Sequence, residues 1–116
     1  MKTVMMILAL MLSMTASAQN AEKLYQEGKA LYDAKDYSKA VPKLKTAAEK
    51  GHKKAQYRLG LCYDKGKGVA ADETKARSWL KKAVKNEKDG DKILKKIKED
   101  ASDGDEDARK LLTLLK

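Results

Sequence analysis

Acidic residues form the runs of this sequence that come closest to a chemical motif. Asp89-Gly90-Asp91 and the DGDED run at 103–107 suggest the oxygen-rich loops that bind Ca²⁺. An EF-hand loop needs acidic residues before its central glycine and a glutamate at its last position. With Gly104 as that glycine, Ala101 takes one ligand position and Lys110 takes the last, so the pattern fails twice. We interpret these acids as helix caps and first-turn residues, and we predict no metal site.

Catalytic machinery is not visible among the other reactive side chains. His52 is the single histidine, which excludes histidine-rich metal sites and triads that need a second histidine. It follows Gly51 in what we interpret as a turn between helical hairpins, and we expect it to be solvated. Cys62, the single cysteine, lies on an apolar helical stripe, which favours a buried small side chain; an intermolecular disulfide is the alternative. No carboxylate pair is marked as buried, so we predict neither an enzyme nor a cofactor.

Positive charge is concentrated in one part of the chain. The formal net charge is +9, and it becomes +8 without Lys2. From Lys75 to Lys98 there are ten basic and three acidic residues, whereas the chain from Glu99 onward has six acidic and three basic ones. We favour a solvated lysine surface that keeps the protein soluble. The alternative is a site in the 75–98 region for an anionic polymer, either an acidic glycan or a nucleic acid.

The N-terminal 18 residues have the features of a secretory signal peptide. Lys2 precedes an apolar run from Val4 to Leu12, and Ala16-Ser17-Ala18 is a cleavage site of the small-x-small type. The run is too short for a permanent membrane anchor, and no later segment has membrane-spanning length. We expect cleavage after Ala18 and a mature chain that starts at Gln19 without a lipid-anchor cysteine. The expected location is therefore the periplasm or the outside of the cell.

Apolar residues recur at helical spacing along the rest of the chain and predict a single domain, residues 19–116, of three helical hairpins at about 21–50, 53–86 and 91–116. In the central hairpin, Gly66 and Gly68 suit left-handed backbone positions, Val69 provides an apolar contact, and Asp72 suits a helix cap. In the first hairpin, Asp36 suits a helix cap. Pro42 should bend the second turn of that helix or shift its start.

The first two hairpins repeat each other. Gly28 corresponds to Gly60 at an offset of 32, while Ala40 corresponds to Ala76 at an offset of 36. The four extra residues fall in the turn, where GKGVAAD replaces the shorter 34–36 segment. An insertion confined to the turn is typical of repeat arrays.

The spaced residues of the central hairpin resemble a Sel1-like repeat, with A-x-x-x-L-G-x-x-Y-x-x-G-x-G-V-x-x-D-x-x-K-A-x-x-W-x-x-K-A present in order. The segment LYQEGKALYDAKDYSKAV of the first hairpin resembles a tetratricopeptide unit. This resemblance implies an all-α fold, a right-handed array of antiparallel hairpins with about six helices. The residues that we assign to the structural motif are Gly28, Leu59, Gly60, Tyr63, Gly66, Gly68, Val69, Asp72, Ala76, Trp79 and Ala83.

The third hairpin is degenerate and is interpreted as a terminal cap. Its first predicted stripe is Ile93, Leu94, Ile97 and Ala101, and its second is Ala108, Leu111, Leu112 and Leu115. Asp91, together with Asp103 or Asp105, should cap these helices. Leu114 falls outside the second stripe, which indicates either a single exposed leucine or an edge for a partner or for self-association.

Repeat arrays of this type bind extended peptides or proteins on a concave face that the first helix of each hairpin lines. The resemblance therefore implies these candidate partner-binding residues: Tyr25, Lys29, Tyr32, Lys54, Tyr57, Arg58 and Leu61. Two interpretations of the tyrosines stay open, recognition of a partner or packing between neighbouring helices. The function expected from the sequence is an exported interaction module for a protein or peptide partner.

Overall fold

All regular secondary structure in the described part of the protein is α-helical. The computed structural model describes residues 19–85 and 88–116, so the predicted signal peptide at 1–18 lies outside the described residues. The helices are α1 (19–33), α2 (Tyr37–Glu49), α3 (Lys53–Lys65), α4 (Glu73–Ala83), α5 (Lys88–Ser102) and α6 (Glu106–Leu115). None of the described helices has the length and apolar character needed to cross a membrane. The predicted all-α repeat fold of about six helices is confirmed.

Side-chain caps and a left-handed glycine set several of the helix ends. Asp72 accepts a hydrogen bond from the Lys75 amide (3.1 Å), and Asp105 accepts one from the Ala108 amide (3.0 Å). Gly66 ends α3 in the left-handed conformation, at φ 66°. These contacts satisfy backbone groups that have no partner within the helix.

One expectation about helix ends was wrong. Asp91 does not cap α5, because that helix begins at Lys88 and Asp91 lies within its first turn. Asp36 is the N-cap residue of α2, as expected, although its side chain accepts no backbone hydrogen bond there. Pro42 lies inside α2 and leaves both the start of the helix at Tyr37 and its continuation intact. Pro42 has no amide hydrogen to donate to the carbonyl four residues back, so α2 lacks one interior hydrogen bond at this position.

The core consists of two clusters that the central hairpin joins. One cluster contains buried residues of α1 to α4, including Leu44 and Leu59, and the other joins Leu80 of α4 to Ile97 and Leu111. Six of the motif residues are buried: Gly28, Leu59, Gly60, Tyr63, Ala76 and Ala83. Val69 and Trp79 are partly buried against the first cluster.

Glycine allows the two helices of a hairpin to approach closely. A Cβ atom on Gly28 would lie 2.9 Å from Leu44 Cγ, and one on Gly60 would lie 2.8 Å from Leu80 Cγ. Each contact therefore consists of a glycine on the first helix and a leucine on the second. The same pair recurs in both hairpins, which agrees with the offsets found in the sequence.

The loop after α3 packs on the preceding hairpin. A Cβ atom on Gly68 would lie 2.4 Å from the Tyr37 carbonyl oxygen. Val69 packs against the first cluster, and Lys67 Nζ donates to the Tyr37 hydroxyl (3.3 Å) and lies 5.7 Å from the Tyr32 ring centroid. The extra residues of this turn thus connect the central hairpin to the first one.

Ion pairs attach α6 to the end of α3. Lys65 Nζ donates to Asp107 Oδ2 (2.7 Å), and Lys110 Nζ pairs with Asp64 Oδ1 (2.9 Å). The Asp64 side chain is almost fully buried, with 4% of its surface exposed. Each helix contributes one acid and one base, so the contact fixes the position of α6 without adding net charge.

Leu114 is buried, and its expected exposure was wrong. Helix α6 contacts both α4 and α5, so its apolar arc is wider than one stripe. Leu114 lies in the second cluster with Leu111, while Leu112 and Leu115 are only partly buried.

We expect the Lys65–Asp107 pair to make stability depend on pH in the acidic range. The hydrogen bond from Lys65 lowers the pKa of the Asp107 carboxyl below its ordinary value. The ion pair therefore stabilises the folded protein fully above the pKa that Asp107 has in the unfolded chain. This stabilisation is lost as the pH falls through the lower pKa of Asp107 in the folded state. Asp107→Asn should reduce the free energy of unfolding by about 0.5–1 kcal/mol at neutral pH. The difference from the unmodified protein should shrink as the pH falls and vanish once Asp107 is protonated in the folded state, as measured by urea unfolding across the pH range.

Asp103→Asn is the matched control, because Asp103 is exposed and forms no ion pair within the described residues. An equal loss in both variants at neutral pH would show that the Lys65–Asp107 contact contributes nothing specific.

Candidate partner-binding groove

A groove lies between the first helices of the three hairpins. Its volume is about 270 Å³. Helix α1 contributes Tyr25, and α3 contributes Lys54, Tyr57 and Arg58. The α5 side is formed by Asp89, Lys92, Ile93 and Lys96. Four of the seven predicted partner-binding residues are thus brought together.

Tyr25 is a buried wall of this groove, which favours the packing interpretation of this tyrosine. Only 5% of its surface is exposed, and its ring stacks on the His52 ring with centroids 4.5 Å apart. The expectation that His52 is solvated was wrong, because only 14% of its side-chain surface is exposed to solvent. The sequence placed His52 correctly in a turn but did not reveal which side chains cover it.

His52 has a defined role as the cap of α3. Its Nδ1 atom accepts a hydrogen bond from the Ala55 amide (3.2 Å), so in the neutral ring the proton is on Nε2. Nε2 lies 2.5 Å from Glu22 Oε2 and donates to it. Hydrogen bonds from Gln26 and then from His52 lower the pKa of the Glu22 carboxyl. The side chains of α1 and the start of α3 are therefore held together at one end of the groove.

Tyr57 and Arg58 are partly buried side chains that line the groove. Tyr57 packs against the second core cluster, and this burial raises the pKa of its hydroxyl, which stays protonated at neutral pH and can donate a hydrogen bond. Arg58 lies above the Tyr32 ring, 5.2 Å from its centroid, and its Nη1 atom is 3.8 Å from Asp33 Oδ1. Packing holds both side chains, so a partner would meet a largely formed surface.

The other three predicted residues do not line the groove. Lys29 forms an ion pair with Asp33 on α1 (3.0 Å). Tyr32 packs edge-on against Tyr37, beneath the loop that carries Lys67. Leu61 is partly buried against the second cluster. Their side chains contribute to helix packing, and whether any of them also contacts a partner stays a prediction.

The contribution of α5 to the groove was not predicted from the sequence. Asp89, Lys92, Ile93 and Lys96 follow the spacing of one helical face, which is the signal that could have found them. The third hairpin lacks the glycine and aromatic motif, so no residue-by-residue match extends to this helix. By sequence alone, Ile93 belongs to a core stripe and the two lysines belong to a general basic segment.

The lysines of residues 75–98 do not form one basic surface. Lys92 and Lys96 line the groove, whereas Lys95 and Lys98 line a separate open depression together with three acids, Asp91, Glu99 and Asp103. On α4, Lys82 lies 4.6 Å from the Trp79 ring centroid. The basic residues are therefore distributed over several faces, and binding of an anionic polymer stays an untested prediction.

Cys62 is a buried free thiol. Burial raises its pKa to about 11, so the thiolate needed for disulfide exchange is scarce at neutral pH. This environment favours the core interpretation of Cys62. Within residues 19–85 and 88–116, no group of three or more histidine, cysteine or acidic side chains is placed to hold a metal ion.

Comparison with known proteins identifies the central hairpin. Residues 53–87 match the family model of the Sel1 repeat. The match covers α3, the glycine loop and α4. A search of curated proteins found no match, and a search of solved structures found none. The hairpin of α3 and α4 is therefore a Sel1 repeat, and the chain carries at least this one unit of that type.

Proposed function

We propose that this protein is an exported interaction module that binds an extended segment of a partner protein in the groove between α1, α3 and α5. A Sel1 repeat indicates a helical module that mediates protein interactions. Sel1 repeat proteins are generally scaffolds and are not typically enzymes. Export rests on the N-terminal sequence, with its apolar run and its small residues before Gln19.

The observation that carries the proposal is the groove itself. Three hairpins each contribute their first helix, and the resulting surface combines aromatic rings with cationic side chains. Tyrosine and arginine are enriched among residues that dominate binding energy, because they combine large contact area with directed polar groups. Their anchoring by neighbouring helices also lowers the entropy lost when a partner binds.

Site-specific photo-crosslinking in intact cells tests this proposal. A photoreactive amino acid at position 54 should form adducts with a discrete protein, because Lys54 is an exposed residue of the groove. The same amino acid at position 39 is the control, since Lys39 is 75% exposed and lies on α2, outside the groove. Mass spectrometry of the adducts should also show Gln19 as the first residue of the mature chain.

Equal labelling from positions 54 and 39 would contradict binding in the groove. Adducts that retain Met1 would contradict export by cleavage after Ala18. The two parts of the proposal can therefore fail separately.

A further inference from the structure

We propose that the groove selects peptide segments rich in aspartate and glutamate, and that Lys54, Arg58, Lys92 and Lys96 provide the selectivity. This inference rests on the proposed function, because it names the chemistry of the segment that the groove would bind. It concerns the groove residues alone and requires no contribution from the rest of the basic segment.

The charge of the groove is strongly unbalanced. Its lining contains four cationic side chains and one acid, Asp89. Lys54 and Lys92 are exposed and have no ion-pair partner within the described residues. Arg58 and Lys96 have only loose partners, at 3.8 Å from Asp33 and 3.6 Å from Asp100. The groove thus presents cations whose hydrogen-bonding capacity is largely unused by the protein itself.

The cations are arranged around an apolar floor. Tyr57 and Ile93 line the groove and are both partly buried against the second core cluster. Such a floor excludes water from part of a bound segment, which strengthens charge-assisted hydrogen bonds at its edge. The Tyr57 hydroxyl, which remains protonated, adds a neutral donor for a carboxylate or a backbone carbonyl.

The small size of the groove and the placement of the lysines around it favour a short peptide segment over a long polyanion that follows a continuous cationic track. Its volume of about 270 Å³ is just below the range of roughly 300–1,000 Å³ that is common for small-molecule sites. A nucleic acid or acidic glycan would need a continuous cationic track along its backbone. Lys95 and Lys98 cannot extend this track, because they line another depression in the company of three acids.

A selection experiment tests the acidic preference even though the natural partner is unidentified. The purified protein is used to select from a displayed library of random 12-residue peptides, and the selected pool is sequenced. We expect aspartate and glutamate to be enriched at least about twofold over the starting library, since the four cations reward opposite charge at close range. The strongest selected peptides are then synthesised, and their Kd values are measured.

Two lysine variants on the same helix provide the matched comparison. Lys92→Gln/Lys96→Gln removes two charges from the groove, whereas Lys95→Gln/Lys98→Gln removes two charges from the other depression. Lys95 and Lys96 each form one exposed ion pair four residues along the helix, so their local environments are similar. The groove variant should raise the Kd about tenfold or more and the control less than about twofold. Asp89→Asn should lower the Kd, because it removes the single acid from the lining.

The outcomes separate the inference from the function on which it rests. Selected peptides without acidic enrichment would overturn the acidic preference and leave peptide binding in place. Failure to select any peptide would count against the proposed function itself. Equal weakening by both lysine variants would overturn the role of the groove. Heparin or a single-stranded oligonucleotide could instead bind tightly and be weakened to the same extent by both lysine variants. That result would identify the protein as a polyanion binder.

Discussion

Gly68→Ala is expected to lower the free energy of unfolding by about 2–5 kcal/mol, because two separate costs add at this position. Gly68 has φ 74°, a left-handed conformation that costs an L-residue with a Cβ atom about 1–2 kcal/mol. The new Cβ atom would also lie 2.4 Å from the Tyr37 carbonyl oxygen and 2.8 Å from Val41 Cγ2. A backbone carbonyl cannot rotate away as a flexible side chain can, so the loop would have to leave α2.

Gly104→Ala is the control that isolates the contact from the conformation. Gly104 has φ 99°, and no atom lies within 4 Å of the position that a Cβ atom would take on this residue. This variant should lose only the conformational part, about 1–2 kcal/mol. Urea unfolding followed by circular dichroism measures both variants. Equal losses would mean that packing of the loop on α2 contributes nothing to stability, and the link between the first and central hairpins would need another explanation.

The features that the sequence predicted best are those fixed by short-range geometry. The left-handed conformation of Gly66 and the caps at Asp72 and Asp105 depend on a few neighbouring residues, so their residue types are informative. The repeat offset was equally accessible, because the same contact between a glycine and a leucine recurs in both hairpins. Helical periodicity then supplied the fold class.

The features that could not be predicted depend on contacts between distant residues. The contact of Lys67 with Tyr37 spans 30 positions in the chain, and nothing in either local segment specifies the other. His52 is shielded by Tyr25 and Glu22 of α1, although its own neighbours are polar. Leu114 is buried because α6 contacts two helices at once. The spacing of apolar residues predicts which face of a helix is buried, but it does not predict how many other helices pack against that face.

The groove combines residues that could be predicted from the local sequence with residues that could not. Tyr57 and Arg58 could be predicted because the motif residues around them fix the rotation of α3. The α5 side depends on how the third hairpin docks, through pairs such as Lys65–Asp107, and no motif in α5 records that docking. Helical spacing places these lysines on two faces of α5, and the docking decides which of the two faces lines the groove. This changes the functional interpretation of the basic segment.

Leu80→Ala is expected to lower the free energy of unfolding by about 2–5 kcal/mol, the usual range for a leucine removed from a packed core. Leu80 has no solvent exposure, lies against Gly60 within its own hairpin, and belongs to the cluster with Ile97 and Leu111 of the third hairpin. Its loss should therefore weaken both hairpin closure and the docking of α5. Urea unfolding gives the free energy, and binding of a selected peptide reports whether the groove persists.

Leu94→Ala is the matched control on α5. Leu94 is partly buried at the open depression and belongs to neither core cluster, so its truncation should cost less than about 1 kcal/mol. Similar losses in the two leucine variants would contradict the central position of Leu80 in the core.

The contact between Leu80 and Gly60 can be measured separately by combining substitutions. Gly60→Ala alone should destabilise the protein by about 1–3 kcal/mol, because its Cβ atom would lie 2.8 Å from Leu80 Cγ in a packed interface. In the Leu80→Ala background the leucine side chain is gone, so the same glycine substitution should cost much less. The double-mutant cycle should then give a coupling energy of about 1 kcal/mol or more. Strict additivity of the two substitutions would show that the glycine is required for a reason other than the close approach of α3 and α4.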